Sequence, residues 1–144
     1  MKFREENGRT YHSYKEGKYI GPNDNPEQER LDFQHALVLL TFDNVLTLSP
    51  AGKDGEKQIH RVLDVGTGTG CWAIDFADEH PETTVVGVDL SPIQPEFVPP
   101  NVEFQVDDME EDWTFSAKFD FICNFFQPWP AWDNSLTIRQ IAVL

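Results

Sequence analysis

The segment Val62-Leu63-Asp64-Val65-Gly66-Thr67-Gly68-Thr69-Gly70 runs a short β-forming stretch straight into three glycines at alternating positions. Few architectures can use such a run. The glycines let the backbone turn sharply and approach a ligand closely. The following stretch, Cys71 to Glu79, places Trp72, Ala73, Phe76 and Ala77 on one helical stripe. A second β-branched run, Thr84-Val85-Val86-Gly87-Val88, comes next. Strand, helix, strand with a crossover of this length is the βαβ unit of a parallel sheet. Val102-Glu103-Phe104-Gln105-Val106 and Phe119-Asp120-Phe121-Ile122-Cys123 extend it as third and fourth strands.

The flanking regions read differently. Residues 1 to 28 are polar and end in the turn-rich Gly21-Pro22-Asn23-Asp24-Asn25-Pro26, which predicts an irregular arm. From Glu27 to about Asn44, Leu31, Phe33, Ala36, Leu37, Leu40 and Phe42 recur mainly at three- and four-residue spacings, predicting an amphipathic helix. Ser49 to Gly55 is a connection rich in turn formers. The organisation expected is an arm and helix over residues 1–58 and a nucleotide-binding type of α/β domain over 59–144. Gln127 to Trp132 holds two prolines, so only Ser135 to Leu144 is expected to form a last short helix.

The 144 residues suffice for one core and not for two. The chain carries 11 basic and 25 acidic side chains, a net charge of -14, which opposes binding to nucleic acid or anionic membrane surfaces. The imbalance is concentrated beyond residue 60, with 3 basic against 15 acidic residues. The N-terminus has no apolar run of the secretory type and no stretch is long enough to span a bilayer, so an intracellular location, cytoplasmic or nuclear, is expected. Cys71 and Cys123 lack metal-ligand spacing, and neither a zinc site nor a disulfide framework is expected.

Asp89 stands nineteen residues after Gly70, at the end of the second strand, where an acid accepts from ribose hydroxyls. The helix starting near Gly70 aims free N–H groups at the same place. Together they outline a nucleoside site. A dinucleotide fingerprint would place its last glycine one residue later, where this chain has Cys71. Asp64 adds negative charge near the turn, unfavourable to a pyrophosphate and favourable to the ammonium of a methionine moiety, which favours S-adenosylmethionine over NAD. Asp64 serves equally well as a cap for backbone groups at the turn. Asp107-Asp108-Met109 ends the third strand, where a carboxylate can accept from an adenine amino group and an apolar side chain can cover the ring. His12, His35, His60 and His80 belong to no motif, and Tyr11 and Tyr14 are ordinary packing residues by the same standard.

These segments, with Val85 to Ser91, resemble the successive signature strands of class I S-adenosylmethionine-dependent methyltransferases. The arm, Tyr11 to Tyr19, Pro22-Asn23-Asp24 and Glu29 to His35, is similar to that of fungal secondary-metabolism methyltransferases of the LaeA-like type. The resemblance implies a Rossmann-like α/β sheet of parallel strands with flanking helices. It implies that Asp64, Gly66, Thr67, Gly68 and Gly70 line the methionine part of the cofactor, Asp89 and Leu90 the ribose, and Asp108 and Met109 the adenine, with the arm as part of a lid. The methyl acceptor it implies is a small molecule or a protein. It ends at Cys123, which implies a C-terminally incomplete sheet, a fourth strand left as an edge open to self-association, and, as the alternative to an enzyme, an inactive cofactor-binding remnant.

Overall fold

The computed structural model describes residues 3–15, 20–49 and 58–124. Four parallel strands form its centre: β3 (Arg61–Val65), β4 (Thr84–Asp89), β5 (Val102–Val106) and β6 (Phe121–Cys123), in the spatial order β5-β4-β3-β6. Helix α2 (Cys71–Glu79) connects β3 to β4. In register, Leu63 lies beside Val86 of β4 and Ile122 of β6. The parallel sheet expected from the βαβ pattern is therefore present, in the Rossmann-like form that the resemblance implied. The fourth strand is shorter than its sequence suggested, because Phe119 and Asp120 form the turn into it: Asp120 N–H donates to the Arg61 carbonyl, and its carboxylate accepts from the His60 and Arg61 amides.

The central strands are apolar on both faces, as parallel strands covered on two sides must be. On one face Val62 and Val85 pack with Trp72, Ala73, Phe76 and Ala77 of α2, Leu46 and Ile59. On the other, Leu63, Val65, Val86 and Val88 meet Met109 and Phe119. Trp72 lies 4.9 Å from Phe76 between ring centres, and its indole N–H donates to the Leu46 carbonyl at 2.9 Å, which fixes the connection before β3 against α2.

The N-terminal arm is more ordered than its composition predicts. β1 (Arg4–Glu6) and β2 (Arg9–Tyr11) form an antiparallel hairpin closed by Asn7 and Gly8, both at positive φ, the conformation a two-residue primed turn needs. Helix α1 (Asn25–Thr41) starts two residues earlier and stops three residues sooner than its periodicity indicated. Asp24 caps it, its carboxylate accepting from the Glu27 amide at 3.2 Å, and Pro26 occupies its first turn. Asp24 also pairs with Arg9, and Asn23 N–H donates to the Thr10 carbonyl at 2.8 Å, so hairpin and helix are joined. The expected apolar stripe is not the buried one: Phe33, Leu37 and Leu40 are exposed, at 64%, 46% and 68%. The side chains that α1 turns toward the sheet domain are Leu31, Asp32, His35 and Leu39. The short helix predicted for Ser135 to Leu144, with Trp129 and Trp132, lies outside the described residues.

Candidate functional site

The glycine loop joins β3 to α2 and is tied to the end of β4. Gly66 and Thr67 both donate N–H to the Val88 carbonyl, at 2.8 and 3.0 Å, and Gly70 donates to the Thr67 carbonyl at 2.9 Å. Gly66, Gly68 and Gly70 all have positive φ, which explains the residue type at each alternate position. Gly70 is the N-cap of α2, and space is short there as well: a Cβ on it would come within 2.9 Å of Phe104 Cε1.

The sequence-predicted acids converge at this edge. Asp89, the last residue of β4, accepts from the Gly68 amide through Oδ2 and from the Ser91 amide through Oδ1, each at 2.9 Å. Asp64 is buried one strand away, accepting from the Thr67 hydroxyl at 2.6 Å. Burial pushes the Asp64 carboxyl up to about 7, with the Asp89 charge adding to the effect and the Thr67 hydroxyl opposing it. Burial also raises Asp89, opposed by the Ser91 and Gly68 amides and by His12. After β5, Asp107 accepts from the Asp108 amide at 2.8 Å and buried Asp108 accepts from the Glu110 amide at 3.1 Å. Leu90 is half-buried beside Asp89. Met109 packs its side chain into the core with Leu63, Val88 and Phe119, while its carbonyl accepts from the Trp113 indole at 3.0 Å.

The arm and α1 lie over this edge. Leu31 Cδ1 stands 3.5 Å from where a Cβ on Gly68 would be. Asp32 accepts from the Cys71 thiol at 3.2 Å, and His35 Nε2 meets Asp75 at 2.7 Å. The Tyr14 hydroxyl reaches Asp107 at a long 3.5 Å, and Lys15 pairs with Glu111. His12, which no motif singled out, is buried just after β2 and acts on Asp89. Gln94 is a residue that sequence reasoning missed: its amide donates to the carbonyls of Gly68, at 2.6 Å, and Ser91, at 2.9 Å, bridging the glycine loop to the segment after β4. No pattern in Ser91-Pro92-Ile93-Gln94 signals this, because the bond is made to a backbone distant in sequence.

Three strand ends thus present a cluster of carboxylate acceptors around a loop of free-turning backbone. Among the described residues no group of His, Cys, Asp and Glu side chains has the geometry to hold a metal ion. No described helix is long and apolar enough to cross a membrane.

A family model described as a methyltransferase domain matches residues 33–127. The Methyltransferase pytC of Aspergillus terreus is 43% identical over 136 residues, which cover 90% of this chain and 41% of that protein. The Secondary metabolism regulator LAE1 of Cochliobolus heterostrophus is 41% identical over 132 residues, covering 87% of this chain and 43% of that protein. The chain therefore spans about two-fifths of the length of these curated relatives. Among solved structures, the plantazolicin methyltransferase BpumL in complex with SAH superposes with a TM-score of 0.51 over 70% of this chain and 42% of that one, at 16% identity. At that identity the likeness concerns the fold.

Proposed function

Because the chain belongs to the methyltransferase domain family, we propose that it binds S-adenosylmethionine at the C-terminal edge of β3, β4 and β5 and serves methyl transfer to a small-molecule or protein acceptor, in secondary metabolism. The observation that carries this reading is the donor set at that edge. Asp64, Asp89 and Asp108 are acids at the ends of three consecutive parallel strands, around a loop whose Gly66, Gly68 and Gly70 have positive φ. Ligands of open α/β sheets bind at such carboxyl ends. A ligand with cationic, hydroxyl and amino groups matches acceptors, and a pyrophosphate does not. The residues present therefore fit the cofactor.

In this reading Asp89 receives the ribose hydroxyls while the Gly68 and Ser91 amides hold its carboxylate in place. Asp64, Gly66, Thr67, Gly68 and Gly70 face the methionine part, Leu90 the ribose, and Asp108 with Met109 the adenine. For Met109 the backbone is what remains for the ring, since the side chain packs into the core. The cofactor supplies an electrophilic methyl group, so what the chain contributes is alignment and exclusion of water. Leu31 above Gly68, and the Asp32–Cys71 and His35–Asp75 contacts, hold α1 over the loop and supply that cover.

Calorimetric titration with S-adenosylhomocysteine and, separately, NADH tests the site: the first should bind and the second should not. Failure of the first to bind would end the proposal. Incubation with methyl-labelled cofactor and fungal extract then reads the acceptor, as label in the soluble or the protein fraction. Binding without any labelled product would instead support a module without turnover.

A further inference from the structure

A carboxyl buried out of water, with a second acid at the end of the next strand, does not ionise readily. Asp64 and Asp89 stand in that relation, and their hydrogen-bond partners differ in kind. Asp89 accepts from two backbone amides, which can only donate and therefore favour the carboxylate. Asp64 meets the hydroxyl of Thr67, which favours the carboxylate by donating to it but, unlike an amide, can turn to accept from a carboxylic acid.

We infer that Asp64 reads the charge of the ligand: it holds a proton while no cation faces it and releases that proton to solvent when a cationic cofactor settles on the glycine loop. The O–H bond of the carboxyl breaks, the proton passes to buffer, and the remaining carboxylate balances the arriving charge. This rests on the S-adenosylmethionine reading above. It adds that the cofactor and its thioether product, which keeps the methionine ammonium, both displace a proton on binding.

The groups around Asp64 agree with this assignment. From β4 comes Asp89, with the arm's His12 acting on it; from β6 comes Cys123, paired with Asp64 in register. Burial and the Asp64 charge push the Cys123 thiol up, so it stays neutral. On the helical side Cys71 bonds Asp32 and Asp75 meets His35, so those groups are engaged with one another. The influences on Asp64 itself are burial, the Thr67 hydroxyl and Asp89, none of them a cation.

Titration calorimetry of S-adenosylmethionine in pairs of buffers with different ionisation heats measures the protons released. The expected release is largest on the acid side of neutrality and fades as pH rises above it, for S-adenosylhomocysteine as well. Asp64→Asn should bind with the release abolished, and Thr67→Val should move the release curve to higher pH, since the hydroxyl that favours the carboxylate is gone. A purely structural role for Asp64 would produce neither change. Infrared difference spectra of the unsubstituted chain give a second readout, loss of a protonated-carboxyl band on binding, should the variants not fold. Binding with no proton released between pH 6 and 8 overturns the inference and leaves the cofactor site standing. Release that survives in Asp64→Asn and vanishes in Asp89→Asn overturns it as well. Absence of binding by either ligand overturns it together with the cofactor reading.

Discussion

Gly87 of β4 and Phe104 of β5 are direct neighbours across the parallel ladder, and the phenyl ring lies against the glycine so closely that a Cβ there would stand 2.6 Å from Cδ1 and Cε1. The same Cβ would meet Thr67 Oγ1 at 2.8 Å, the hydroxyl that bonds Asp64. Gly87→Ala is therefore an overpacking substitution at the root of the candidate site, expected to cost about 1–3 kcal/mol. Phe104→Ala in the same chain should recover part of that loss. Urea unfolding of both single variants and the double variant gives the coupling, expected at about 1 kcal/mol or more; additive losses would mean the ring does not fill the space above Gly87.

Asp89 has two tasks in the proposed site, holding the glycine loop and receiving the ribose. Its replacement by Ala should weaken S-adenosylhomocysteine binding by about 1–3 kcal/mol, through the loss of charge-assisted hydrogen bonds. The Gly68 and Ser91 amides would be freed at the same time, so the melting temperature should fall too. Asp89→Asn separates the tasks. It keeps one acceptor oxygen for one of the two amides and turns its NH2 against the other, so only part of the stability should return while affinity stays reduced. Calorimetric affinity and thermal melting, measured on both variants, decide it. Unchanged affinity in Asp89→Ala would remove the residue from the ribose.

The sheet was readable from the chain because its central strands β3 and β4, buried on two faces, are largely apolar runs and its edge strand β5 alternates apolar with polar residues. β3, β5 and α2 begin and end where their patterns do. The candidate site was readable for a related reason: positive φ at Gly66, Gly68 and Gly70 demands a residue type that can be seen without a structure. The hairpin was missed although Asn7-Gly8 is the strongest short hairpin signal, because its strands of three residues, with half-exposed or exposed side chains, show no apolar alternation. The inward face of α1 was not readable from hydrophobic spacing at all. Leu31, Asp32, His35 and Leu39 form a mixed stripe in which a carboxylate and an imidazole do part of the docking. A moment of apolar residues cannot find a face held by a thiol–carboxylate bond and an imidazole–carboxylate contact.

That inversion of α1 makes a prediction opposite to the one its pattern suggests. Phe33 and Leu40, central to the apolar stripe, are exposed, so Phe33→Glu and Leu40→Glu should each change stability by no more than about 0.5 kcal/mol. His35→Ala, on the other side of the helix, should loosen α1 from α2, seen as faster hydrogen exchange in the segment 25–41. A large loss from either glutamate variant would place the buried face where the periodicity put it.

The buried acid at the end of β3 also leaves a mark on stability against pH. Asp64 titrates at 3.8 in the absence of structure and at about 7 in the folded chain. Between those values the folded state keeps a proton that the unfolded state has lost, so stability falls as pH rises through the window. The contribution is complete below 3.8 and gone above about 7. Asp89 acts in the same direction, and Asp24, held down to about 2 by Arg9, acts in the opposite one, losing its contribution as pH falls from 3.8 toward that value. Asp64→Asn removes one component from this sum. Its stability relative to the parent chain should rise by on the order of a few kcal/mol between pH 4 and pH 7, then level off. Urea midpoints of both chains at half-unit steps of pH measure the difference, and a difference that stays flat across that interval would show Asp64 to be ionised in the folded chain throughout.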